Sequence, residues 1–108
     1  MPKKIHMEKQ KTCLKTDDII KYTSEEGERI ELRLGEIFQK DYSRIDHCGR
    51  GALLRVYGNN HEFLRGQQIY DALSHEFAQE QLREAARNKV DAETFRQTID
   101  DIIFSMVS

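Results

Sequence analysis

Cysteine, proline and glycine are scarce in this 108-residue chain, which holds two, one and six of them. Two thiols, Cys13 and Cys48, are too few for a disulfide framework, and that scarcity points to a reducing compartment. So few prolines and glycines exclude a loop-rich scaffold or a low-complexity chain. No apolar run approaches the roughly 20 residues of a membrane span. Nor does an apolar stretch follow the N-terminal lysines, as a secretory leader would require. The expectation is a cytoplasmic protein without a membrane partner.

The signatures of several chemistries are missing too. There is neither GxGxxG nor GxxxxGK[ST], so no glycine-rich loop is set to cradle phosphates. Six residues could ligate a metal: His6, Cys13, His47, Cys48, His61 and His75. Their spacings match no zinc module, and CxxC, HxxxH and HExxH do not occur. The stretch "HCGRGALLR" invites comparison with the phosphate-binding cysteine loop of phosphatases. That loop places five residues between thiolate and arginine, whereas six separate Cys48 from Arg55. Since every backbone amide of such a loop must converge on one anion, the misfit excludes it. Cys48 beside His47 is no better as a catalytic pair, because adjacent side chains rarely meet in the required geometry. Cys48 reads as a half-buried structural thiol. The expectation is no enzyme, no cofactor and no metal.

What is present is charge and amphipathicity. Hydrophobic residues make up 38% of the chain and charged residues 33%. Residues 1–15 hold five lysines against Glu8 alone, while the remainder carries twelve basic and eighteen acidic side chains. Residues 1–15 therefore read as a flexible basic tail, and residues 16–108 as a single domain.

Within that domain Thr16 is a candidate helix cap, with Asp17 and Asp18 in the first turn. Ile19, Ile20, Ile30, Leu34, Ile37, Phe38, Tyr42 and Ile45 then fall on one helical stripe; Leu32 and Tyr22 fall off it. Further on, Asn60 is a candidate cap, and Phe63, Ile69, Tyr70, Leu73 and Phe77 share a face of a helix running to about Asn88; Gly66 weakens its first turns, which leaves a start nearer Gln67 as the alternative. Asp91 caps a last helix, with Val90 and Phe95 placed as a hydrophobic staple. Phe95, Ile99, Ile102, Ile103 and Met106 form its buried face, and Phe104 points away.

The preferred fold is thus all-α, a small bundle of three to four amphipathic helices, with Phe77, Leu73, Phe95, Ile99 and Ile102 mutually buried. A rival reading is α+β. "RIELRL" (Arg29 to Leu34) alternates with period two, "SEEGE" before it suits a hairpin turn, and "ALLRVY" could be a further strand before two C-terminal helices.

The middle of the chain holds the one positive balance in the body. Arg44, Arg50, Arg55 and Arg65, with His47 and His61, face only Asp46 and Glu62. Gly49, Gly51 and Gly58–Asn59 suggest a joint between helices. Arginine is over-represented where carboxylates, phosphates and partner surfaces are recognised. The expected function is therefore binding another protein, a second copy of the chain included. Arg44, His47, Arg50, Arg55, His61 and Arg65 are the candidate contacts, with Phe104 as a second surface. The alternative is a nucleic-acid-binding regulator, with "ALLRVYG", "GNN" and the next helix imitating a helix-turn-helix and the lysine tail reaching phosphates.

Overall fold

The computed structural model describes residues 15–39, 48–57 and 61–107. They form an α+β fold, not a helical bundle. Four strands, β1 (Lys15–Thr23), β2 (Arg29–Gln39), β3 (Cys48–Val56) and β4 (His61–Arg65), make an antiparallel sheet in the order β1-β2-β3-β4. Three helices follow: α1 (Gln67–Ser74), α2 (Glu76–Arg87) and α3 (Ala92–Val107).

Period two governs the first half. Register pairs Ile20 with Leu32 and Leu32 with Leu54, and likewise Tyr22 with Ile30 and Ile30 with Val56. These even-numbered residues line one face, and all of them belong to or pack on the core. Over the described residues the helical stripe that starts at Ile19 was a coincidence of spacing; Tyr42 and Ile45 lie outside them. Leu32 and Tyr22, the two residues it could not place, are both inner-face sheet positions.

The turn that allows the hairpin is specific. The Ser24 backbone N–H donates to the Glu28 carbonyl at 2.8 Å, and its buried hydroxyl accepts from the backbone N–H groups of Glu26 and Glu28. Gly27, at φ 91°, supplies the left-handed residue. Gly51, by contrast, is no joint. It lies inside β3 opposite Gly35, and a Cβ on Gly35 would sit 2.0 Å from the Lys15 carbonyl oxygen. A Cβ on Gly51 would come within 2.3 Å of the Leu64 carbonyl oxygen. Both outer strands approach too closely here for any side chain. Gly58 and Asn59 lie outside the described residues.

Helical periodicity takes over at Gln67, where α1 starts. The expected helix to about Asn88 is in fact two. His75 is extended (φ −61°, ψ 143°), and its Nδ1 accepts the Phe77 backbone N–H at 3.1 Å. His75 therefore ends one helix and caps the next. This break turns Ala78, Leu82 and Ala85 toward the core and leaves Phe77 57% exposed, which removes Phe77 from the expected core. Leu73, Phe95, Ile99 and Ile102 are buried together as anticipated. At α3 the expected cap is there: the Asp91 carboxylate accepts the Thr94 backbone N–H at 3.1 Å.

All three helices share the core with the inner sheet face: α1 packs on β3 and α3, and α2 lies beside β1 and α3. The β1–β2 hairpin is fastened to the α2–α3 connection at three points. The Tyr22 hydroxyl donates to the Val90 carbonyl at 2.7 Å, and the Glu28 carboxylate accepts the Ala92 N–H at 2.9 Å. The Glu25 N–H donates to the Lys89 carbonyl at 3.3 Å. The Tyr22 ring meets Phe95 edge-on at 5.3 Å, and burial, with Asp91 and Glu28 nearby, pushes its phenol well above the ordinary range. Among the described residues no helix is long and apolar enough to cross a membrane.

Candidate recognition face of the sheet

The alternation that builds the core also dictates the opposite face. Between the register shifts near Asp17 and Ile37, odd-numbered residues of the strands point away from the helices and meet in rows. One row reads Lys21, Glu31, Arg55, His61; the next reads Ile19, Arg33, Leu53, Phe63. Arg29 and Tyr57 lie beyond the first row, where the Tyr57 N–H donates to the Arg29 carbonyl at 2.9 Å. Arg65, opposite Gly51, lies beyond the second. Among the described residues this outer face thus gathers Lys21, Arg29, Arg33, Arg55 and Arg65 around a single carboxylate, Glu31.

Glu31 is fully buried, and a buried charge persists only when paired and hydrogen-bonded. One of its oxygens accepts from Arg33 Nε at 2.7 Å, the other from the Tyr57 hydroxyl at 2.8 Å. Burial alone would raise its pKa. The hydrogen bonds from Arg33 and Tyr57, with the charges of Arg33 and Arg55, outweigh burial and hold the carboxyl below its ordinary value.

That anchor fixes Tyr57, and Tyr57 in turn organises the cations. The Arg55 and Arg29 guanidiniums lie 5.2 and 6.0 Å from its ring centroid. Each such contact contributes about 0.5–1 kcal/mol at an exposed site. Arg65 lies 6.0 Å from the centroid of the Phe63 ring, which His61 meets edge-on at 5.6 Å. Tyr57, Phe63 and Ile19 are each about 40% exposed. Among the described residues Lys21, Arg29 and Arg55 have no ion-pair partner. The chain matches no known protein family, curated protein or solved structure.

The residues singled out from the sequence part company here. Arg55, His61 and Arg65 come together on the outer face. Arg50 does not: it lies 5.2 Å from the ring of Tyr70, on α1, whose hydroxyl donates to Asp17 at 2.8 Å. Phe104 is 75% exposed on α3, in the other layer. Arg44 and His47 lie outside the described residues. Sequence reading missed Lys21, Arg29, Arg33, Tyr57 and Phe63, although the alternation in "RIELRL" already placed Arg29, Glu31 and Arg33 on one face.

Two further expectations need correction. Ala52–Val56 is strand, so "ALLRVYG" cannot be the first helix of a helix-turn-helix. Cys48 is half-buried as expected but is disulfide-bonded, not a free thiol; the chain's other cysteine, Cys13, lies outside the described residues. Among the described residues no three His, Cys, Asp or Glu side chains gather as a metal centre.

Proposed function

We propose that this protein acts by binding, and that its outer sheet face docks an acidic segment of a partner protein. The observation that carries this reading is Arg29 and Arg55 held against the Tyr57 ring, with Lys21 on the same face, all three without an ion-pair partner among the described residues. Guanidiniums already ordered on an aromatic ring lose little freedom when they grip a carboxylate, and the planar fork suits bidentate pairing. Exposed Tyr57, Phe63 and Ile19 add the apolar contact that interfaces of this kind use, with arginine and aromatic residues enriched.

Arginines interleaved with aromatics on a sheet also suit single-stranded nucleic acid, which needs ring faces for bases to stack on. Here arginines occupy those rings, which favours the protein partner. Panning a random peptide library against the purified protein separates the two. Recovered peptides should be rich in Asp and Glu, and an Arg29→Gln/Arg55→Gln variant should lose them. Homopolymer RNA that binds more tightly than these peptides, with steep salt dependence, would replace the reading with a nucleic-acid one.

A further inference from the structure

The helical layer presents a surface of opposite character. A groove of about 590 Å³ runs between α2 and α3, and Phe77, Glu80, Glu84, Ala85, Val90 and Asp101 are among its walls. Among the described residues no lysine or arginine lines it. We infer that this groove docks a basic amphipathic segment of a partner protein, independently of the outer sheet face.

The groove follows from the sequence of α2. Ala78, Leu82 and Ala85 turn to the core, so Phe77, Glu80 and Glu84, at i, i+3 and i+7, form a second face. An isolated exposed aromatic is ordinary. Phe77 is different because it borders a concave surface that Ala85 and Val90 make partly apolar. Charge then selects the occupant. Glu80, Glu84 and Asp101 repel phosphates and other acidic chains, and they attract lysine or arginine flanking an apolar side chain. Two of the three carboxylates have local partners: Glu84 accepts from Arg87 at 2.8 Å and Asp101 from Gln97 at 3.0 Å. Glu80 and Asp101, which make no ion pair among the described residues, are the two that select. The fit is that of a helix laid into a helix–helix groove, with apolar residues inward and cations on both margins.

The test is a titration of the isotopically labelled full chain, followed by NMR, with two synthetic helical peptides. One has leucines on one face and lysines on the other; its control replaces every lysine with glutamate. The lysine peptide should shift amides of Phe77, Glu80, Glu84 and Asp101 and leave those of Lys21, Arg29 and Arg55 in place. A Glu80→Lys/Asp101→Lys variant, changed only at exposed positions, should bind it at least about tenfold more weakly while keeping its spectrum. Equal binding of the glutamate peptide, unchanged affinity of the double variant, or shifts centred on the sheet would each overturn the inference. Groove shifts that move on dilution without any peptide would assign the groove to a second copy, and would overturn it too.

Discussion

The two faces of the sheet are made from the same strands, one residue out of phase, and they do opposite things. The inner face is Ile20, Ile30, Leu32, Leu34, Ala52 and Leu54, all buried beneath helices. Among the described residues the outer face carries five cations, two exposed aromatic rings, one buried carboxylate and the buried Leu53. Burial of aliphatic area holds the first together, because each fully buried side chain contributes about 1.5–3 kcal/mol. The second is held by a few directed contacts on Glu31 and Tyr57. An amphipathic strand therefore separates stability from recognition within single-residue steps, and substitutions on the two faces should have different consequences.

The largest effect should come from the inner side. Phe95 is completely buried and meets the Tyr22 ring. Phe95→Ala should destabilise by about 3–5 kcal/mol in denaturant unfolding, most of the margin of a small domain. The next tests the close approach of the strands. Gly35→Ala puts a methyl group 2.0 Å from a carbonyl oxygen, so the backbone must shift, at a cost of about 1–3 kcal/mol in the same measurement.

Legibility in the sequence follows the same division. Much of the α1 and α3 faces could be read because period 3.6 was sustained there and Asp91 marked a start; the α2 face was not. The sheet was misread because Ile30, Leu34 and Ile37 satisfy both a helical stripe and, in part, a strand; Leu32 was the informative exception. His75 hid the break between α1 and α2, since histidine is an unusual cap, and with it the exposure of Phe77. Of the candidate site, Arg55, His61 and Arg65 were legible as charge. Lys21, Arg29 and Arg33 join them only through strand pairing, which no local pattern specifies.

Glu31 sharpens the comparison on the outer side. Removing its charge in Glu31→Gln should cost about 1–3 kcal/mol, because Arg33 and Tyr57 lose a charged acceptor. Its depressed pKa also has a signed consequence. The stability it contributes is fully present above the ordinary carboxylate range and is lost as pH falls through its lower folded value. The acid limb of a stability–pH curve should therefore be shallower in the variant than in the parent.

The smallest effect belongs to Phe77, which the helical periodicity alone would bury. With its ring 57% exposed, Phe77→Ala should change stability by less than about 0.5 kcal/mol. A loss several times larger would show that the groove between α2 and α3 is closed in solution.

The most direct test of the division between the faces measures one variant in two ways. Arg29→Gln/Arg55→Gln removes two outer-face cations that have no ion-pair partner among the described residues, and it places no new carboxylate beside Glu31. The account predicts a melting temperature within a few degrees of the parent, since surface substitutions rarely exceed about 0.5 kcal/mol each, together with loss of the acidic peptides selected on the parent. Retention of those peptides at parental affinity would contradict it, and so would a variant that unfolds.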